Sequence, residues 1–185
     1  MIKRFNIILP LTLSIICLLL LACTGQVDNN QQVRKIDKRQ MKKSLEEANR
    51  DLALEEMAAI DDYIVKHNLN MVKTGTGLCY NIERQGDKDL IKTGDLVSLD
   101  YEMRFLNKDE IVSDSKNDGL KTFLVGHGGV EIGLEEAILH LHKGDEAEII
   151  IPSHLAHGLI GDGERIPPRT TIVYKVKVVE NQSNN

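Results

Sequence analysis

Apolar residues recur at helical spacing between residues 33 and 68, a stretch without Gly or Pro. Intervals of three and four predict an amphipathic helix, or two, from about Lys35 to Lys66, which Asn68-Leu69-Asn70 then ends. The apolar positions are Met41, Leu45, Ala48, Leu52, Met57, Ile60 and Ile64. Something must cover this apolar face. The chain's own domain and a second copy in a homodimer through residues 35–66 are both open at this stage.

The pattern changes at Met71 to short alternating segments, which are typical of strands. The predicted strands are Leu78 to Ile82, Asp95 to Phe105, Lys121 to Val125, Glu146 to Ile151 and Thr170 to Val179. One short helix lies between them, because Leu134, Ala137, Ile138 and Leu141 have helical spacing and Lys143-Gly144 closes the segment. Strands with one helix and no βαβ repeat predict an α+β fold, an antiparallel sheet wrapped around the helix.

The first 22 residues read as an export signal. Lys3 and Arg4 form a positive start, Phe5 to Leu21 carries no charge, and Ala22 precedes Cys23. Leu20-Leu21-Ala22-Cys23 is similar to a bacterial lipobox, in which the Cys thiol is acylated and becomes the first residue. The predicted organisation is therefore signal 1–22, flexible tether 23–34, helical segment 35–70, folded domain 71–180 and disordered tail 181–185. An uncleaved anchor helix is the disfavoured alternative, since the apolar run is short and interrupted.

Charge and composition exclude some classes of function. The net charge is −5, and loss of Lys3 and Arg4 with the signal gives −5 − 2 = −7. An acidic chain without a basic patch argues against nucleic-acid binding. Cys17 leaves with the signal and Cys23 is the predicted lipid site, so Cys79 has no partner for an internal disulfide. Its apolar neighbours favour a buried, inert thiol over a reactive one.

Several short motifs follow one another in a fixed order between Thr76 and Glu180. They are Gly94-Asp95-Leu96-Val97-Ser98-Leu99-Asp100-Tyr101, Gly133-Leu134-Glu135-Glu136-Ala137, Lys143-Gly144-Asp145-Glu146-Ala147, Ile151-Pro152, Ala156-His157-Gly158, Ile166-Pro167-Pro168 and Ile172-Val173-Tyr174. In this order the region resembles an FKBP-type peptidyl-prolyl cis-trans isomerase domain. Lipobox, helical segment and domain together look like the gliding-motility-associated isomerase lipoproteins of Bacteroidetes-type bacteria.

The resemblance implies an apolar pocket for a proline ring, formed where the helix crosses the sheet. The residues implied as catalytic are Tyr101, Ile111, Leu134, His157, Ile166 and Tyr174. The residues implied as substrate-binding are Val112, Val130 and Glu131, the last through its main-chain N–H. Twisting an X-Pro bond breaks no covalent bond, so no cofactor, metal or nucleophile is expected.

The sequence departs from the family pattern at the pocket. Leu134 stands at the Trp position and His157 at a Tyr position. The Phe-Asp pair falls on Ile111-Val112, or one residue later onto Ser113, and a further Phe falls on Leu120 or Lys121. Because aromatic area is lost, we expect weaker macrolide binding and reduced isomerase activity.

Two classes of function follow from these observations. The first is an isomerase that assists folding of exported, proline-containing polypeptides at a bacterial membrane, on the periplasmic side and at the outer membrane. The second is a chaperone or assembly module that uses the same groove with little catalysis. A metal site at His140-x-His142 and His154-x-x-His157 is disfavoured, since no Cys pair accompanies them and the two pairs lie on different elements.

Overall fold

The computed structural model describes residues 37–84 and 89–179. The helices are α1 (Lys38–Lys66), α2 (Ser115–Asp118), α3 (Ile132–Ile138) and a 3-10 turn at Ser153–Leu155. The strands are β1 (Val72–Lys73), β2 (Cys79–Arg84), β3 (Leu96–Phe105), β4 (Ile111–Asp114), β5 (Lys121–Leu124), β6 (Glu146–Ile151) and β7 (Ile172–Val179). The export signal, the tether, Cys23 and residues 181–185 lie outside the described residues, so these assignments stay predictions.

The described strands form one antiparallel sheet in the order β1-β2-β6-β7-β3-β4. The long strand β3 has two partners on one edge: β5 pairs with residues 96–99 and β4 with residues 102–104. On its other edge β3 pairs along its length with β7, from Ser98↔Val179 to Phe105↔Ile172. This arrangement places β3 and β7 side by side in the centre of the sheet.

Both faces of the sheet are covered, which explains the continuous apolar run at the end of β6. Alternate residues of β6 and β7, among them Ile149 and Tyr174, join the main core with α3. The intervening Ile150 and Val173 join a second cluster with Ile60 of α1. A strand buried on two faces reads as a run of apolar residues instead of an alternation.

The helix α1 packs on its own domain through its C-terminal turns. The contacts of α1 described here lie within one compact unit of the chain, from residue 44 onward. Ile60 is 1% exposed, and Tyr63 and Ile64 pack beside it. Asn68 ends the helix with a left-handed φ of 51°, as the sequence predicts. Leu45 remains exposed, so self-packing accounts for the C-terminal part of the apolar face and the homodimer stays a prediction.

Glu56 joins α1 to the sheet by hydrogen bonds. Its Oε1 accepts from the Ser153 backbone N–H at 2.7 Å and from Thr171 Oγ1 at 2.5 Å. Its Oε2 accepts from Ser153 Oγ at 2.9 Å. Two of the three donors belong to Ser153, which lies just after β6. The carboxylate therefore orients the helix on the domain.

We expect Glu56→Ala to destabilise the domain by about 1.5–3 kcal/mol, since hydrogen bonds to a charged group are worth about that much and these three are partly buried and not additive. Urea unfolding gives the free energy, and hydrogen exchange of α1 amides shows whether the helix opens first. Glu55→Ala, one residue earlier in the same helix, is the matched control and should change stability by less than about 0.5 kcal/mol. Equal losses in the two variants would contradict the docking role of Glu56.

The predicted elements agree with the structure in type and position, with ends that differ by a few residues. The predicted last strand shows alternation in β7: Ile172, Tyr174, Val176 and Val178 are buried while Lys175 and Lys177 are exposed. Cys79 is fully buried and burial raises the pKa of its thiol, as expected for an inert cysteine. Alternation did not predict β1, which has two residues, or β4, in which two apolar residues are followed by two polar ones. Within residues 37–84 and 89–179 no helix has the length and apolar content of a membrane span.

Candidate active site

Two tyrosines from neighbouring strands lie side by side where the resemblance implies a pocket for a proline ring. Tyr101 of β3 and Tyr174 of β7 are diagonal neighbours, because Met103 pairs with Tyr174 and Tyr101 pairs with Val176. Their ring centroids lie 5.9 Å apart and the ring planes are inclined by 60°. Tyr101 is 6% exposed and Tyr174 is fully buried. The rings therefore stand on the inner face of the sheet as two adjoining apolar walls.

The floor comes from α3, with Leu134 fully buried in the same core cluster. Close packing of α3 on the sheet depends on Gly133. A Cβ there would overlap Ile151 Cγ2 and lie 3.0 Å from Leu155 Cβ. Because residue 133 is glycine, the helix approaches β6 closely, and Leu134 is buried in the same core cluster as the two tyrosines.

Ile166, a further residue of the implied pocket, lies at the end of a loop that begins at Gly158. The Asp162 carboxylate shapes this loop, since its Oδ1 accepts from the backbone N–H groups of Glu164 at 2.9 Å and Ile166 at 2.7 Å. These N–H groups, that of Glu164 first, hold the pKa of Asp162 below its usual range. Ile166 is 7% exposed and belongs to the core cluster. The loop thereby presents Ile166 in a defined position.

The strand β4 corrects one assignment. Ile111, assigned to the pocket, is 42% exposed, whereas Val112 packs against the core. Ser113 Oγ and the Tyr101 hydroxyl are hydrogen-bonded at 2.9 Å. The structure therefore favours the second alignment that the sequence allows. In this alignment Val112 and Ser113 stand where the family has its Phe-Asp pair. The reason is the bulge in the β3–β4 pairing between Met103 and Arg104, which shifts β4 by one residue.

A charged cluster lies at the mouth, around the Glu131 carboxylate. The Tyr174 hydroxyl donates to its Oε1 at 2.8 Å, and His157 Nε2 lies 3.4 Å from the same oxygen. Lys121 Nζ lies 3.8 Å from Oε2. The Glu131 side chain is only 6% exposed, and Oε2 has no hydrogen-bond donor among the described residues. Burial, followed by the Glu131 charge, raises the pKa of Tyr174 above its usual range, so its hydroxyl stays protonated.

Lys121 lies across the pocket. Its Nζ is 5.2 Å from the Tyr101 ring centroid and 5.6 Å from that of Tyr174, within the range of cation–π attraction. Outside this cover is a cavity of about 440 Å³ lined by Lys121, Gly129, Val130, Glu131, Ile132, Ala156 and His157. Since Leu134 and Tyr174 have no exposed surface, the apolar floor is closed in the free protein.

A family model of the FKBP-type peptidyl-prolyl cis-trans isomerases matches residues 87–179. The chain belongs to this family. A probable FKBP-type isomerase FkpA of Neisseria meningitidis serogroup B is 31% identical over 150 residues, 81% of this chain and 52% of that protein. FK506-binding protein 2 of Kluyveromyces lactis is 32% identical over 90 residues, 48% of this chain and 64% of that protein. The chain thus spans less than two-thirds of the length of either relative.

Solved structures show the same FKBP fold. The crystal structure of AtFKBP13 aligns with a TM-score of 0.57 and 23% identity, over 60% of this chain and 98% of that one. The crystal structure of FkpA from Escherichia coli aligns with a TM-score of 0.60 and 23% identity, over 79% and 73%. The predicted fold class, an antiparallel sheet with a short helix and a preceding helical segment, is confirmed.

In this FKBP domain the structure brings together most of the residues that the sequence implied. Tyr101, Leu134, Ile166 and Tyr174 share one core cluster, with Val112 and Val130 against it. Their roles in binding stay predictions. The Glu131 backbone N–H, before the first turn of α3, makes no hydrogen bond to another described residue.

The sequence pattern marks Glu131 only through its backbone N–H and Lys121 only as a position where the family has Phe, so it does not indicate the contact between their side chains. It also missed Asp162. A signal existed for Asp162, since an Asp two residues before Glu164 in a Gly-rich loop often bonds the following backbone N–H groups. No local signal marked the ion pair, because residues 121 and 131 meet only in the folded domain.

The histidines have separate partners. The His140 ring stacks on Tyr80 with centroids 4.8 Å apart, and His142 Nδ1 lies 3.5 Å from Asp145. His154 Nε2 lies 3.1 Å from the Thr76 carbonyl oxygen. In the part of the chain that the structure describes, no three His, Cys, Asp or Glu side chains are grouped to hold a metal ion. The geometry therefore offers no support for the disfavoured metal site.

Proposed function

We propose that the chain is a peptidyl-prolyl cis-trans isomerase that acts on proline-containing segments of exported proteins. The observation that carries the proposal is that Tyr101, Tyr174, Leu134 and Ile166 belong to one apolar cluster, in which the rings of Tyr101 and Tyr174 lie 5.9 Å apart. Family membership supports the same activity. The proline ring would take the place between the two tyrosine rings, which Lys121 covers in the free protein.

The chemistry requires no nucleophile, because only rotation occurs. Twisting the X-Pro amide costs about 18–20 kcal/mol, since resonance between nitrogen and carbonyl is lost. The twisted amide is less polarised than the planar one, so a pocket of low dielectric favours it relative to water. The walls would hold the ring while the preceding carbonyl turns, and the Glu131 N–H, which bonds no other described residue, would donate to that carbonyl.

The test is an exchange measurement on a short Leu-Pro peptide with the purified full-length protein. We expect the isomerisation rate to rise above the uncatalysed exchange, which takes tens to hundreds of seconds. The charged mouth predicts activity below that of an FKBP with an aromatic pocket. A rate equal to that of buffer alone, with protein shown to be folded by circular dichroism, would exclude the enzyme proposal.

One observation favours a second candidate, a binding module with little catalysis: the floor of the pocket is closed in the free protein. Such a module would suppress aggregation of an unfolded client without accelerating a proline-limited refolding step. Comparing these two readouts on one client protein separates the candidates, since an isomerase accelerates the slow phase and a holdase does not.

We further propose that the domain is exported and held by an acylated Cys23 on the periplasmic side, in the outer membrane, as in the gliding-motility-associated lipoproteins. The lipobox carries this proposal. Labelled palmitate should enter the wild-type protein and not Cys23→Ala, and the unlabelled variant should leave the membrane fraction. A homodimer through residues 35–66 belongs to the same proposal. Sedimentation of the full-length chain tests it, because the measured molecular mass distinguishes a monomer from a dimer.

A further inference from the structure

The Lys121–Glu131 pair carries an inference about substrate choice. The Lys121 ammonium lies over the faces of Tyr101 and Tyr174, and it faces a carboxylate oxygen that has no hydrogen-bond donor among the described residues. The ring centroids are 5.9 Å apart, so the ammonium occupies the approach to both walls. A proline ring that packed against the faces of Tyr101 and Tyr174 would have to displace this ammonium.

The two members of the pair differ in burial, and this difference decides which of them leaves. The Lys121 side chain is 26% exposed, whereas that of Glu131 is 6% exposed. A lysine on a flexible stem regains full hydration when it turns outward. A buried carboxylate left without its cation keeps the cost of its lost hydration. The exchangeable partner is therefore the cation.

We propose that the pocket opens by exchanging Lys121 for a cation of the peptide, so that Lys or Arg immediately before proline is the preferred residue. This inference rests on the isomerase function proposed above and names its substrate class. The residue before proline is the relevant one, because its carbonyl would accept from the Glu131 N–H and its side chain then lies nearest the Glu131 carboxylate. An acidic residue there would compete for Lys121 and leave Glu131 unpaired.

Other groups at the mouth agree with a cationic guest. The Tyr174 hydroxyl uses Oε1 of Glu131, and His157 faces the same oxygen, which leaves Oε2 toward the Lys121 side. The two tyrosine faces attract an alkylammonium or guanidinium group. The chain as a whole carries a net charge of −5, which favours encounter with basic segments.

The experiment compares kcat/KM of the full-length protein for four peptides of the form Ala-X-Pro-Phe, with X as Lys, Gln, Leu or Glu. We expect Lys to exceed Gln by about tenfold, the value of one charge-assisted hydrogen bond, and Glu to fall below Gln. Glu131→Gln should bring the Lys/Gln ratio to about one, and Lys121→Met should increase it, because Glu131 then lacks its internal cation. Glu136→Gln, on the same helix and bonded to Thr74 and Thr76, should keep the wild-type ratio.

Ratios within one variant cancel losses of folded protein, so a merely structural role of Glu131 would lower all four rates and leave the ratio unchanged. Turnover of Leu-Pro with equal Lys and Gln rates would overturn the exchange proposal and leave the isomerase function standing. Absence of turnover with every peptide would overturn the isomerase function. In that case, peptide affinities from chemical-shift titration would test the preference for a cationic residue before proline. Equal affinities for the Lys-Pro and Gln-Pro peptides would overturn the exchange proposal.

Discussion

Gly161→Ala is expected to lower stability by about 2–4 kcal/mol and kcat/KM by about 100-fold. Alanine at this position would combine an unfavourable backbone conformation with a steric clash. Gly161 has a φ of +71°, in the left-handed region. A Cβ there would overlap the Ile166 carbonyl oxygen and lie 2.8 Å from the Pro167 carbonyl carbon. Both are backbone atoms, so the loop segment that carries Ile166 must shift.

Gly163→Ala is the matched control for this change. Gly163 has a φ of +80°, and a Cβ there meets nothing within 4 Å. This variant carries only the backbone cost of about 1–2 kcal/mol and should keep most of the activity. Urea unfolding and the Leu-Pro exchange rate are measured for both. If the two variants lost activity equally, the clash with the Ile166 segment would not be the cause.

Tyr101→Ala should reduce kcat/KM by about 100-fold and stability by about 3–5 kcal/mol, since a buried ring that forms one wall is removed. Tyr101 is 6% exposed, lies against Tyr174 and supports the Lys121 ammonium. The measurement is the exchange rate on Leu-Pro at a temperature where circular dichroism shows the variant folded.

Tyr101→Phe separates the ring from its hydroxyl. It removes only the 2.9 Å hydrogen bond with Ser113, worth about 0.5–1.5 kcal/mol, and keeps the wall. We expect a loss of activity of less than about tenfold. A Phe variant as inactive as the Ala variant would show that the hydroxyl, and not the apolar wall, is what the reaction needs.

Much of the fold was predictable because its signals are local. The alternation in β7, the helical spacing of α1 and the breaker at Asn68 each depend on residues close together in the chain. Ordered motifs from Gly94 to Tyr174 then indicated the family. The strand β4 shows the limit of this reasoning, because its register depends on a bulge against Met103 and Arg104 of a different strand. A shift of one residue exchanged Ile111 for Val112 at the pocket.

The sequence by itself determined the α+β architecture through hydrophobic periodicity and turn residues, which act locally, and its ordered motifs indicated the family and most of the apolar residues at the candidate site. Only the tertiary structure decided that the pocket is closed and charged. Lys121 begins β5 and Glu131 precedes α3, and the fold brings Lys121 over the rings of Tyr101 and Tyr174 and Glu131 against the Tyr174 hydroxyl. The same holds for Glu56, whose partners Ser153 and Thr171 lie about a hundred residues away in the chain. Contacts between distant side chains leave no periodic pattern, so the folded chain alone shows them.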